Sequence, residues 1–142
     1  FGSGSQETAL REEIANLGLE HRSTLKGRSS RLQEIYGEAD LYVMTSDFEG
    51  MPNTLMEAMA CGLPCISTDC PTGPSDLIRD GETGLIVPVG DRSGLAKAMA
   101  YALENQADME RMGAAGRKYM QERYRADRIG RRLWELCERI EL

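Results

Sequence analysis

The chain has 142 residues, 28% of them charged, with a formal net charge of −6 at pH 7. That length suits one domain able to bury about two thirds of its unfolded surface. The acidic balance excludes a basic nucleic-acid groove, so any anion must be held by local geometry. No apolar stretch is long enough to span a membrane and the start does not read as a signal peptide, so a soluble, cytoplasmic protein is expected.

Phe1-Gly2-Ser3-Gly4 reads as the end of a strand entering a glycine loop, which predicts a fragment whose strand body lies upstream. Gln6 to Asn16 is predicted as a helix with Leu10, Ile14 and Leu17 on one face, stopped by Gly18. Ser23 to Lys26 reads as a short strand, Ser30 to Tyr36 as a helix with a Ser cap, and Leu41 to Met44 as a buried strand. After the next helix, Cys65 to Thr68 is a strand, Ser75 to Arg79 a short helix and Gly84 to Val87 a strand. Helices are predicted over Arg92 to Glu104, Ala107 to Arg123 and Ala126 to Ile140. The apolar residues of the last, Ile129, Leu133, Trp134, Leu136, Cys137 and Ile140, are expected to pack on the sheet. Alternating strands and helices imply an α/β, Rossmann-like parallel sheet with helices on both faces, its ligands gathered at the carboxyl ends of the strands.

The chemistry concentrates in Asp47 to Pro64, DFEGMPNTLMEAMACGLP, where Glu49 and Glu57 have seven residues between them. Pro52 suits a first helical position, and Gly62 followed by Pro64 suits a helix end, which predicts a helix over Pro52 to Cys61. Asn53 and Glu57 form one stripe, and Leu55 and Met59 another. Glu57 then hangs about 7 Å along the axis from Pro52, at about 1.5 Å per residue, with Glu49 in the loop above. Between the carboxylates lies a helix N-terminus whose free N–H groups and positive dipole suit a phosphate. Two acceptor side chains flanking an anion cradle describe a holder for a polyol on each side of a diphosphate, as in a nucleotide sugar.

Each residue also has a plainer reading. Glu57 is equally a solvated helix glutamate, Glu49 a turn residue or helix-dipole partner, and the stretch between them an ordinary helix start. Arg28, after Gly27, could stack on a nucleobase through its guanidinium plane or be a surface arginine. His21 reads as a surface residue. Cys61, Cys65, Cys70 and Cys137 lack the paired spacing of a zinc site and read as free core or helix-end cysteines. No metal or other cofactor is expected.

The motif resembles the Glu-x7-Glu element of retaining glycosyltransferases of family 4, and the similarity extends along most of the chain. GSGSQETALREEIANLGLEHRSTLKG resembles that family's opening run, EADLYVMTS precedes the motif, and PCISTDCPTGPSDLIRDGETGLIVPVGD follows it. The wording is similar to members that build bacterial surface polysaccharides and lipid-linked oligosaccharides. The resemblance implies the C-terminal, donor-binding half of a GT-B fold, with an acceptor-binding domain outside this chain. It assigns Glu57 to the ribose hydroxyls and Glu49 to the donor sugar near the reacting carbon. Gly50, Met51, Asn53, Thr54 and Leu55 would contact phosphate and sugar through their backbone, and Arg28 would lie near the base. It implies a UDP-hexose or UDP-N-acetylhexosamine donor and a glycan or lipid-linked acceptor, with peripheral membrane association open to the parent enzyme. Departure of the leaving group from the front face, assisted by its own phosphate, then replaces a carboxylate nucleophile. Asp76 stands where the family often has Glu. A non-catalytic nucleotide-binding module is the alternative, and a sugar-nucleotide epimerase or phosphorylase a third reading. Residues 1–142 alone are expected to transfer no sugar.

Overall fold

The computed structural model describes residues 1–138. They group into two compact units, Phe1–Leu32 and the chain from Gln33 onward. The first unit holds one helix, α1 (Glu7–Asn16). Its end is set by Gly18 at φ +64°, where the Gly18 and Leu19 amides donate back to Ala15 and Ile14 in a Schellman arrangement. Leu10 and Leu17 remain exposed. The strand predicted over Ser23 to Lys26 does not form. Just beyond it, among the described residues, one backbone bond runs from the Gly2 N–H to the Gly27 carbonyl at 2.7 Å, and one bond makes no ladder.

Further on come α2 (Leu32–Glu38), β1 (Tyr42–Met44), α3 (Asn53–Cys61), β2 (Cys65–Thr68), α4 (Pro74–Leu77) and β3 (Leu85–Val87). Three consecutive helices follow, α5 (Arg92–Glu104), α6 (Gln106–Arg123) and α7 (Ala126–Glu138). α2 starts two residues later than the predicted Ser30 cap, and the hydroxyl that accepts there is that of Ser29, from the Arg31 N–H. The strands form one parallel sheet in the order β1-β2-β3.

Paired residues of parallel strands point to the same face, so the register sorts the side chains. Val43, Ile66 and Leu85 form one row. They pack against Leu95, Ala98 and Ala102 of α5 and against Met109 and Met112 of α6. Cys65 and Ser67 lie on the opposite face, where α3 buries Leu55, Ala58 and Met59. β2 is buried at all four positions, as a central strand covered on both sides must be. The predicted α/β, Rossmann-like sheet is therefore present.

α3 and α6 approach closely along a seam of glycine. A methyl group added at Gly113 would stand 2.3 Å from the Gly62 carbonyl oxygen, and one at Gly116 would stand 3.5 Å from the Met59 side chain of α3 and 3.1 Å from the Thr83 carbonyl in the loop before β3. α3 ends at Gly62, at φ +82°, in the left-handed region that a glycine enters without steric cost. α5 is capped by Asp91, whose carboxylate accepts from the Gly94 N–H at 2.8 Å.

α7 differs from expectation. None of its residues is buried, and Ile129, Leu133, Trp134 and Leu136 are exposed rather than packed on the sheet. The faces of the sheet are already covered by α3 and by α5 with α6, which leaves this stripe no place there. Cys137 is exposed as well, and Ile140 lies outside the described residues.

The cysteines divide in the same way. Cys61 and Cys137 are exposed, while Cys65 and Cys70 are buried, and all are free. Burial pushes the Cys65 thiol up to about 12. A thiol reagent at pH 8 is expected to label Cys61 and Cys137 quickly and the buried pair only after unfolding, as read by mass spectrometry of the labelled peptides.

Candidate functional site

The site lies within the second unit, past the carboxyl end of β1. β1 delivers the chain into an exposed turn, Thr45 to Met51, and α3 then leads back toward β2. Pro52 is fully buried and occupies the N-cap, one position earlier than predicted, because its ψ of 72° is not helical. The Asn53 N–H is already engaged with the Met51 carbonyl at 2.8 Å, so Asn53 is not the free donor expected of it. The amides of Thr54 and Leu55 remain at the open start of the helix. Leu55 has 0% exposure as a whole residue and its side chain faces the core, so Thr54 is the exposed one of the two. Met51 is exposed, at 60%.

Glu49 is held in place from three directions. Ser46 Oγ donates to its Oε1 at 2.6 Å. Thr68, nearly buried at the end of β2, donates to the Ser46 carbonyl at 2.6 Å and so fixes the residue that fixes Glu49. From the loop after β2, the Thr72 hydroxyl reaches the Glu49 carbonyl. Thr72 sits at φ +60°, which is costly for a β-branched residue. The next residue explains why the loop is held so close: a methyl group at Gly73 would stand 2.5 Å from Pro52 Cδ. The Asp69 to Pro74 segment thus packs directly on the start of α3. Asp76 follows in α4 with its side chain exposed, and its carbonyl accepts from the Tyr119 hydroxyl at 3.1 Å.

Glu57 projects from the exposed side of α3 and accepts a hydrogen bond from the Tyr36 hydroxyl at 3.2 Å. Tyr36 is buried, and its ring meets that of Tyr42 edge to face, with centroids 6.1 Å apart. The Tyr42 hydroxyl pairs with Thr54 Oγ1 at 2.8 Å. Burial raises the Tyr42 phenol above its ordinary value, and the negative charges of Glu49 and Glu57 both add to that rise. Both carboxylates flank the start of α3, Glu49 in the turn before it and Glu57 in its second turn. Burial, followed by the charge of Glu57, raises Tyr36 in the same direction and keeps it a donor throughout the neutral range.

Beside this turn an open cavity of about 340 Å3 is lined by Thr45, Asp47, Thr68, Pro88, Gly90 and Asp91, at the ends of all three strands. Glu49, Gly50, Met51, Asn53, Thr54, Leu55 and Glu57 are thus brought together by one turn and one helix. Arg28 belongs to the other unit, where its Nε donates to Ser3 Oγ at 3.0 Å. Among the described residues no group of three His, Cys, Asp or Glu is placed to hold a metal ion. Sequence reasoning missed Tyr36, Tyr42, Ser46, Thr68 and Thr72. Tyr36 could have been suspected as a phenol on an otherwise apolar helix stripe, since a buried tyrosine hydroxyl usually finds a partner.

A parallel sheet with a ligand-facing helix start beyond its strand ends defines a Rossmann-like domain of the kind found in GT-B glycosyltransferases. The chain belongs to the glycosyl transferases group 1 family, whose profile matches residues 1–119. It is 39% identical over 114 residues to an exopolysaccharide phosphotransferase of Streptomyces coelicolor, covering 80% of this chain and 12% of that protein. It is 31% identical over 128 residues to the N-acetyl-alpha-D-glucosaminyl L-malate synthase of Bacillus anthracis, covering 90% of this chain and 33% of the relative. Among solved structures, the pneumococcal O-GlcNAc transferase GtfA in complex with UDP and GlcNAc superposes with a TM-score of 0.80 at 32% identity, over 96% of this chain and 28% of that one. The chain therefore spans about a third or less of these relatives.

Proposed function

We propose that this chain is the donor-binding domain of a retaining glycosyltransferase of family 4, transferring a sugar from UDP-hexose or UDP-N-acetylhexosamine to a glycan or lipid-linked acceptor. The observation that carries the reading is the placement of Glu49 in the turn before α3 and of Glu57 on the exposed side of that helix, with the helix start between them. In this arrangement Glu57 accepts from the ribose hydroxyls, the Thr54 amide at the start of α3 faces the diphosphate, and Glu49 meets hydroxyls of the donor sugar. Gly50 lets the backbone approach that sugar, while Met51 and Asn53 line the same turn.

Glu49 serves as an orienting acceptor rather than a nucleophile. The Ser46 hydroxyl occupies one of its oxygens and leaves the other to accept from a sugar hydroxyl. The leaving diphosphate assists its own departure from the reacting face, and the helix dipole takes up part of its growing charge without a metal. The acceptor belongs to a domain outside these residues, and the parent works in the cytoplasm or at the inner membrane face. The UDP and GlcNAc in the pneumococcal relative's structure support the choice of donor class.

Titration of the full-length protein with UDP and with UDP-sugars by calorimetry tests the assignment. Saturable binding of UDP is expected, with no comparable binding of nucleotides that lack the diphosphate. A protein that binds no uridine, guanosine or adenosine diphosphate would refute the donor-site reading.

A further inference from the structure

We infer that Tyr36 is a positioning residue for nucleotide recognition: its hydroxyl holds the Glu57 carboxylate in the orientation that receives a vicinal diol. The inference rests on the donor-site reading and adds to it a residue outside the Glu49 to Glu57 motif.

Glu57 is exposed on α3, and a free glutamate there would rotate among many side-chain conformers. A carboxylate can accept from two neighbouring hydroxyls at once, but only with its plane set toward both. Tyr36 supplies that setting, since its hydroxyl donates to Oε2 at 3.2 Å and leaves Oε1 and the remaining lone pair of Oε2 open. The donor is itself immobile. The Tyr36 ring is 6% exposed and packs edge to face on Tyr42 at an interplanar angle of 79°. Tyr42 in turn holds Thr54 Oγ1, one helical turn ahead of Glu57 on the same stripe of α3. The two tyrosines thus grip two successive positions of the ligand-facing stripe, one by a hydroxyl pair and the other by a hydrogen bond to a carboxylate. A bond to an ionised acceptor is the stronger kind, and because Tyr36 stays protonated it makes that bond at every neutral pH.

The test compares Tyr36→Phe with the wild type in the full-length protein, using UDP and 2′,3′-dideoxy-UDP as probes. Phenylalanine keeps the ring packing and removes one oxygen. The expected result is about a tenfold weaker affinity for UDP. Affinity for the dideoxy compound should be unchanged, and Tyr36→Phe should cause no further loss in a Glu57→Ala background. A role confined to packing would weaken both nucleotides alike and would overturn the inference. Unchanged UDP affinity in Tyr36→Phe, with Glu57→Ala still impaired, would also overturn it while leaving the donor site standing. Failure of the wild type to bind UDP would remove the donor reading itself, and with it this inference.

Discussion

Glu49→Gln in the full-length protein is expected to lower turnover by about 100-fold or more, a size typical of losing one oriented polar contact to a reacting centre. UDP affinity should stay within about threefold, because UDP lacks the sugar that Glu49 is proposed to meet. Glu57→Ala should do the reverse at the binding step, weakening UDP by about 30-fold through the loss of hydrogen bonds to an ionised acceptor. Glutamine retains one acceptor oxygen at position 49 and still receives the Ser46 hydroxyl, so the turn should keep its shape. Turnover measured with a UDP-sugar, beside calorimetry with UDP, separates the two roles. If Glu57→Ala spared UDP binding and Glu49→Gln abolished it, the assignment of ribose and sugar would be the wrong way round.

Gly113→Ala should destabilise the fold by about 1–3 kcal/mol, the range for forcing a methyl group into a packed site. The added carbon would stand 2.3 Å from the Gly62 carbonyl oxygen and 3.1 Å from the Pro64 nitrogen, both backbone atoms that cannot swing aside. For a chain of this size that is a fall in the unfolding midpoint of about 2–4 °C per kcal/mol. Gly130→Ala in α7 is the control, because nothing lies within 4 Å of the added carbon. There alanine should raise stability by up to about 1 kcal/mol through helix propensity alone. Calorimetric melting of both variants decides, and equal midpoints would show that the seam tolerates a methyl group.

The legible part of this chain was the part whose signals are local. Gly62 and Pro64 after an apolar stripe mark the end of α3, and the short run Cys65 to Thr68, with β-branched Ile66 and Thr68, marks a strand. The position of Glu49 before a helix and Glu57 within it follows from the same punctuation. What escaped depends on partners far along the chain. Tyr36 reaches Glu57 across 21 positions and Thr72 reaches Glu49 across 23, and neither contact has a signature in its own neighbourhood. A threonine at positive φ runs against its propensity, which tertiary contacts overrode. The Ser23 to Lys26 stretch has a strand-like composition, yet a strand exists only where a ladder partner is supplied. The amphipathic pattern of α7 identified a helix correctly, but a pattern states only that a face is apolar, not what covers it.

The glycine seam also bears on how the proposed donor cradle would move. With no side chain between Gly113 and the Gly62 carbonyl, the end of α3 rests directly on the backbone of α6, so the helix carrying Glu57 is expected to move together with α6. In the proposed role, adjustment to a donor sugar would fall to the exposed turn that carries Glu49, which is held through Ser46 and Thr72 by hydrogen bonds.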